Sequence, residues 1–216
     1  MKLPKSAHTS RPWRIHEIAP DFRLYDVWAL PTPGGPGDFP LLIQDTVDGD
    51  TSDSPSPVAR ALFKIRWKLG ELFGWDDPAT GVGTRVPTLR DRLPRDLREG
   101  PTGPKFTTLP FRPVFLTDDE WASEMGNRTV HAVMHLTWVP DGSGGHRGQM
   151  AVLVKPNGLF GRAYMAAIAP FRHWLVYPPL MRRIDEKWRT HGGGPDAPRS
   201  PGVPPSSPGS PDAPLR

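Results

Sequence analysis

The second half of the chain has the most regular pattern of apolar and polar positions. Residues 111–117, 120–126, 128–139 and 149–155 alternate with a period of two, as strands of a half-buried sheet do. The glycine-rich stretch 141–145 between the last two segments is typical of a hairpin turn. This half of the chain therefore predicts an antiparallel meander with one apolar face.

The last apolar pattern of the chain is helical. Between residues 159 and 189, apolar side chains recur every three or four positions, and most basic side chains lie off that stripe. Pro170, Pro178 and Pro179 each remove an intrahelical hydrogen bond and crowd the preceding turn. We expect a long amphipathic helix that packs on the sheet and bends at its prolines.

The start of the chain has shorter patterns. Residues 11–18 alternate, with Trp13 and Ile15 on one face, and predict a strand. A short helix is predicted next, because Asp21 can cap it and apolar side chains follow at helical spacing as far as Ala29.

The middle of the chain is dominated by predicted loops. Residues 31–40 predict a loop, and residues 58–73 predict an amphipathic helix that contains Trp67. Residues 76–110 are rich in Gly, Pro, Thr and Arg, and only residues 88–98 favour short helical turns. A loop of this length is typical either of a lid over a functional site or of a disordered segment.

Proline and glycine are clustered, which indicates the domain organisation. The chain has 29 prolines and 22 glycines, and residues 191–216 alone hold eight of the prolines with almost no apolar side chains. Such a segment cannot bury enough surface to offset its ordering entropy. We expect a flexible N-terminus over residues 1–10, one domain over residues 11–190, and a disordered tail over residues 191–216.

The chain contains no cysteine, so disulfides, thiolate nucleophiles and thiolate metal sites are excluded. The N-terminus has no apolar run of signal-peptide length, and no stretch approaches the ~20 apolar residues of a membrane span. We expect a cytoplasmic protein that is not integral to a membrane, and no sequence feature calls for a cofactor.

The positive charge of the chain is concentrated near its end. The formal net charge is +4, yet residues 155–190 hold seven Lys or Arg against two acidic residues. No nucleic-acid-binding module is recognisable, so we expect no nucleic-acid partner. A solvated basic face is the favoured interpretation, and weak contact with anionic lipid or with a protein is the alternative.

Two segments carry a resemblance to known families. The meander, followed by GLFGRAY at residues 158–164 and a long aromatic helix, resembles the helix-grip (SRPBCC) superfamily of START lipid-transfer domains and polyketide cyclases. RPWRIHEIAPDFRLYDVWALPTPGG at residues 11–35 and IRWKLGELFGWDD at residues 65–77 resemble the bacterial domain of unknown function 2867. The resemblance covers about residues 8–190.

The resemblance implies an α+β fold in which a curved antiparallel sheet grips the C-terminal helix around an apolar cavity. It implies a kind of pocket, not a reaction. The expected function is therefore binding of a small apolar molecule, although aromatic side chains of this kind also form ordinary cores. The cavity candidates are Trp67, Val130, Ala132, Met134, Leu136, Trp138, Tyr164, Ile168 and Phe171.

The polar candidates lie on the other face of the third strand. His131 and His135 have the spacing of a metal site on a helix, but on a strand their side chains stand roughly 13 Å apart, so no metal site is expected. Either they line a pocket or partner surface, or they belong to a solvated outer face. The solvated face is favoured.

An enzymatic alternative uses acid–base chemistry. Glu124 and Glu120 precede this strand and could serve as general acid or base in a dry cavity, but their place beside a turn favours exposure to solvent. A cyclase-like or hydrolase-like enzyme would use Glu124, Tyr164, His131 or His135, and would require two of them to converge. No serine lies in a nucleophile elbow.

Overall fold

The computed structural model describes residues 1–48, 82–83, 86–107, 109–127, 129–171 and 177–191. Within these ranges the chain is α+β. The strands are β1 (Arg23–Gly34), β2 (Arg112–Leu116), β3 (Glu120–Gly126), β4 (Val130–Pro140) and β5 (His146–Pro156). The α-helices are α1 (Ser6–Thr9), α2 (Ile15–Ile18), α3 (Phe39–Val47), α4 (Arg95–Glu99), α5 (Gly158–Phe171) and α6 (Tyr177–Thr190), and a 3-10 helix spans Leu89–Arg92.

The strands form one open antiparallel sheet in the order β1-β5-β4-β3-β2. The predicted meander is confirmed, because β2, β3, β4 and β5 follow one another along the chain and across the sheet. The sheet gains a fifth strand from the N-terminal half, since β1 pairs with β5 at the edge.

The predicted strand over residues 11–18 is wrong. Its last four residues form α2, a single turn whose Ile15 and Ile18 are buried on one side. Trp13 is also buried, from the turn that leads into this helix. Trp13 and Ile15 are two positions apart and both buried, so their spacing is the same as that of a strand.

The predicted helix that begins after Asp21 is also wrong, because this part of the chain lies in β1. Irregularities of register fall between Leu24 and Asp26 and between Ala29 and Pro33. The first irregularity inserts one extra residue and shifts the alternation of side chains, and the second inserts two residues. Buried residues of this strand thus recur at spacings that resemble those of a helix.

The predicted loop over residues 31–40 is wrong at both ends. β1 continues as far as Gly34, and α3 begins at Phe39. Pro40 suits the first turn of α3, where the missing N–H has no helical partner.

The alternation of side chains divides the sheet into two faces. We call the side that carries His131 and His135 the histidine face, and the side that carries Trp121 and Trp138 the tryptophan face. α1, α2, the 3-10 helix and α4 pack on the histidine face. α3, α5 and α6 pack on the tryptophan face. The sheet therefore lies between two layers of helices.

The C-terminal helical region consists of α5 and α6, while residues 172–176 lie outside the described ranges. Pro178 and Pro179 are in the first turn of α6, a position that tolerates proline. Pro170 lies within α5, and the bend expected there stays a prediction.

Two glycines set the turn from β5 into α5. Gly158 has a φ of +69°, in the left-handed region that favours glycine. At Gly161 a Cβ atom would clash with the backbone carbonyl of Thr129, just before β4. Glycine at these positions lets α5 lie directly against the start of β4.

The central region is described in part. The 3-10 helix and α4 confirm the short helical turns expected within residues 88–98. The predicted helix over residues 58–73, with Trp67, and the tail from residue 192 onward lie outside the described residues. No helix in the described ranges combines the length and apolar character needed to cross a membrane.

Candidate functional site

The N-terminal segment covers one part of the histidine face. Leu3 N donates to Val27 O at 2.8 Å, and Ala29 N donates to Met1 O at 2.8 Å, so the first residues run along the outer edge of β1. α1 and α2 then cross onto the sheet, where His8 becomes fully buried. This segment supplies side chains to a polar cluster at the centre of the fold.

The polar side chains of β3 and β4 on the histidine face are buried. Glu120 is 4% exposed, Glu124 1%, His131 4% and His135 0%. The expectation of a solvated outer face and of exposed glutamates is therefore wrong. The helices that cover this face come from segments far away in sequence, and the alternation within the strands carries no sign of them.

Glu124 holds the first of two buried carboxylate–imidazole pairs. Its Oε2 lies 2.7 Å from His131 Nε2 and accepts a 3.0 Å hydrogen bond from Leu89 N. The hydroxyl of Thr88 also donates to this carboxylate and accepts from Arg90 N at 3.2 Å, which caps the 3-10 helix. One carboxylate thus attaches the 3-10 helix to the sheet.

Glu120 and His135 form the second pair. His8 extends this pair into a row of three hydrogen-bonded side chains. His135 Nε2 lies 3.0 Å from Glu120 Oε2, and His135 Nδ1 lies 2.9 Å from His8 Nε2. A carboxylate can only accept, so His135 carries its proton on Nε2 and its Nδ1 accepts from His8. Arg14 N donates to the other oxygen of Glu120 at 3.0 Å. Both imidazole protons therefore point towards Glu120.

Burial keeps the imidazoles of His8 and His135 neutral, because it lowers the pKa of both. Burial lowers the pKa of His135, against the opposing effect of Glu120. Burial, followed by repulsion from His135 and His16, lowers the pKa of His8 to about 3. The ring of His16 is half-buried and meets that of His8 edge-on at 4.8 Å. The chain of rings thus runs from near the surface to a buried carboxylate.

The arrangement differs from the one that the enzymatic alternative requires. His131 and His135 bind separate carboxylates, and both pairs are closed by packing. α5, which contains Tyr164, packs on the opposite face. Among the described residues, no three His, Asp or Glu side chains form an arrangement that could hold a metal ion.

The low pKa of His8 predicts a loss of stability in acid. In the unfolded chain His8 takes up a proton below about pH 6.5, whereas the folded protein, with a His8 pKa of about 3, does not. The stability that neutral, buried His8 contributes is fully present above pH 6.5. It is lost progressively as the pH falls towards 3. Between pH 7 and pH 5 we expect His8 alone to remove about 2 kcal/mol from the free energy of unfolding.

Urea unfolding of wild type and His8→Gln at the two pH values measures this contribution. Gln can still donate to His135 but does not titrate, so the variant should lose about 2 kcal/mol less than wild type between pH 7 and pH 5. Leu3→Ala is the control, because it removes packing without a titrating group and should weaken the protein equally at both pH values. Equal pH dependence of wild type and His8→Gln would contradict the assignment.

The tryptophan face contains the apolar residues expected to line a cavity. Leu136 and Trp138 are buried among side chains of α3 and α6, and Val130 is buried beside Met165 of α5. The side chains of the other cavity candidates Trp67, Tyr164, Ile168 and Phe171 lie outside the described set. Their place in a cavity stays a prediction.

The centre of the tryptophan face is more open than its ends. Ala132, Met134 and Val152 are half-buried, although β4 and β5 are inner strands of the sheet. Met134 is paired with Val152 on one side and with Ser123 on the other. Ser123 is fully buried, and its hydroxyl has no hydrogen-bond partner in the described structure. We call Ala132, Met134, Val152 and Ser123 the central patch.

An apolar recess lies beside α3. It is an open groove of about 810 Å³ between α3 and the segments before and after β2. Its lining residues are Pro36, Gly37, Phe39, Pro40, Ile43, Gln44, Pro101, Pro104, Leu116, Thr117 and Asp118.

Sequence reasoning missed that His8 and Ser123 are buried polar side chains. His8 lies 127 positions from its partner His135, and nothing near it in sequence indicates a buried site. One usable signal was present, because the β3 glutamates and the β4 histidines alternate onto one face of neighbouring strands. Acidic and imidazole side chains that face each other across strands are typical of mutual pairing.

Comparison with known proteins identifies a family but no characterised relative. No curated protein matches the chain, and no solved structure does. A family described as "Protein of unknown function (DUF2867)" matches over residues 18–179, which is most of the chain and includes all five strands. The chain belongs to the DUF2867 family.

Proposed function

We propose that the protein binds a small, largely apolar molecule on the tryptophan face, over the central patch. The observation that carries this proposal is the half-burial of Ala132, Met134 and Val152 between positions that are fully buried on the same strands. Apolar side chains on inner strands are normally covered completely. Partial exposure at this point supports a recess between the packing sites of α5 and α6.

The chemistry of the recess suits a ligand with one polar group. Apolar side chains would contribute about 25 cal/mol for each Å² that the ligand covers. The Ser123 hydroxyl lies in the same cross-strand row as Met134 and is available as donor or acceptor. A single buried polar group within an apolar lining is typical of small-molecule sites.

The resemblance to helix-grip proteins supports the same place. Those proteins hold apolar ligands between a sheet and a C-terminal helix, and here both C-terminal helices pack on the tryptophan face. Tyr177 at the start of α6 donates to Asp26 of β1 at 3.1 Å, which fixes that helix beside the patch. We therefore propose a helix-grip type of ligand site.

Replacing Ala132 by phenylalanine tests whether the recess exists. If the space is open, the ring fills it, the free energy of unfolding changes by less than about 1.5 kcal/mol, and binding of a lipophilic dye is blocked. Nile red titration should show at least a tenfold loss of affinity for Ala132→Phe, and native mass spectrometry should show that any co-purified apolar molecule disappears from the variant.

Ala122→Phe is the matched control. Ala122 is fully buried on the histidine face, so the same substitution should overpack the core and cost about 1–3 kcal/mol without blocking the dye. Gln44→Trp fills the groove beside α3 instead. The proposal fails if wild type binds no apolar molecule, if Gln44→Trp rather than Ala132→Phe blocks binding, or if Ala132→Phe destabilises as strongly as Ala122→Phe.

A further inference from the structure

A group of hydrogen-bond donors without acceptors lies on the histidine face, where β5 begins after the β4–β5 hairpin. Arg147 and Gln149 are two positions apart on β5 and share this face with Thr137 and Val139 of β4. Trp13 packs in the same apolar cluster as Val139. The Trp13 ring lies 6.0 Å from the ring of His135 on β4, and Arg11 is close enough to Arg147 to act on its charge, so the N-terminal segment lies beside this part of the face.

Arg11 brings a second positive charge to this place. Its guanidinium lies 5.8 Å from the centre of the Trp13 ring. Burial is the largest influence on Arg147 and lowers its pKa; Asp141 opposes this, and Arg11 lowers the pKa further by repulsion. Both arginines are half-buried, and neither forms an ion pair with an acidic side chain of the described residues.

Gln149 and Trp13, the neighbours of these arginines on β5 and in the N-terminal segment, also have donors without acceptors. Gln149 is 2% exposed and Trp13 is 5% exposed, and Gln149 Nε2, Trp13 Nε1 and Arg147 Nη1 are all buried without a hydrogen-bond partner in the described structure. Each unsatisfied buried donor costs about 1–3 kcal/mol. Several such donors on one part of a face indicate that an acceptor binds among them.

The acidic groups of the neighbourhood have other partners. Glu120 lies in the same cross-strand row as Gln149, separated by Thr137, and its oxygens are taken by His135 and Arg14. Asp141 is held in the hairpin by hydrogen bonds from Ser143 and Gly145. Neither carboxylate therefore accepts a hydrogen bond from the unsatisfied donors, which remain open to an external acceptor.

We infer that this cluster is a binding site for a small oxyanion, a carboxylate or phosphate group, with Arg11, Arg147, Trp13 and Gln149 as its donors. Guanidinium groups bind both kinds of anion through paired hydrogen bonds, and the indole and amide N–H groups complete the coordination. The two arginines are half-buried, so the rest of the bound molecule extends towards solvent. The site is on the opposite side of the sheet from the central patch and is independent of the proposed function.

Isothermal titration calorimetry with inorganic phosphate, and separately with acetate, at constant ionic strength tests the inference on the full chain. We expect wild type to bind one of the two, and a concentration ten times the Kd to raise Tm by about 3–6 °C. Arg147→Met and Gln149→Leu should weaken that binding at least tenfold. Arg147→Lys keeps the charge but loses the paired geometry, and should weaken it as well.

Arg162→Met is the matched control, because Arg162 is an exposed residue of α5 on the other side of the sheet. It should bind the anion as wild type does, and Arg147→Met should still bind Nile red if the central patch is the apolar site. The inference is overturned if wild type binds neither anion, if Arg162→Met weakens binding as much as Arg147→Met, or if Arg147→Lys and Gln149→Leu bind with unchanged affinity.

Discussion

Glu124→Leu is expected to lower the free energy of unfolding by about 3–5 kcal/mol, one of the two largest single-residue effects that we predict. The substitution removes the common acceptor of the Thr88 hydroxyl, Leu89 N and His131 Nε2. Each buried donor that loses its acceptor costs about 1–3 kcal/mol. Leucine has a similar volume and leaves no large cavity. The decrease in the free energy of unfolding therefore comes mainly from the lost hydrogen bonds.

Urea unfolding followed by circular dichroism gives the size of this effect, and Glu124→Gln grades it. Gln keeps one acceptor oxygen for Leu89 or Thr88, so about 1–2 kcal/mol is expected. Glu99→Leu is the control, because Glu99 is exposed and pairs with Arg95 within α4, where such pairs contribute about 0.3–0.5 kcal/mol. A loss at Glu124 no larger than the loss at Glu99 would show that the buried pair does not hold the 3-10 helix.

The parts of the fold that the sequence predicts correctly are those whose partners are near in the chain. β3, β4 and β5 each pair with a strand that is next in sequence, so alternation and the glycine-rich turn suffice. β1 departs from this pattern in two ways. Its bulge between Leu24 and Asp26 shifts the alternation, and it pairs with β5, whose residues lie more than 100 positions away. The local periodicity of the sequence predicts neither the bulge nor the pairing with a distant strand.

The polar candidates illustrate the same limit. The right residues were singled out, since His131, His135, Glu120 and Glu124 all take part in buried pairs. Their environment was predicted wrongly, because the cover comes from α1, α2 and the 3-10 helix. A histidine on a strand looks the same in sequence whether water or another helix lies above it. Only the long-range packing decides which of the two applies.

This packing also places three groups of side chains at different positions on the sheet. On the histidine face, the Glu124 and Glu120 pairs attach the 3-10 helix and the N-terminal helices. The unsatisfied donors around Arg147 lie at the hairpin end of the same face. The tryptophan face carries the more open apolar patch. Variants on one face can thus be used as controls for the other, since inner strands of the sheet separate the two groups of side chains.

The second large effect is expected at Trp188, which attaches the end of α6 to the tryptophan face. The side chain is 1% exposed, its Nε1 donates to Pro33 O at 2.9 Å, and its ring lies 5.9 Å from that of Trp138. Trp188→Ala should cost about 3–5 kcal/mol in urea unfolding, because it removes a large buried ring and leaves the carbonyl of Pro33 without its donor. Trp188→Phe keeps most of the apolar contact and should lose about 1–2 kcal/mol.

Arg189→Ala is the neighbouring control, because Arg189 pairs with Asp185 at an exposed position and should contribute less than about 0.5 kcal/mol. A cost at Trp188 below about 1 kcal/mol would show that α6 does not belong to the core.

Tyr177 anchors the other end of α6 through Asp26 and lies with its ring 4.5 Å from Trp28. If the apolar site adjoins that end, Trp188→Ala should weaken Nile red binding less than Ala132→Phe does, since the helix is released only at the far end from the patch.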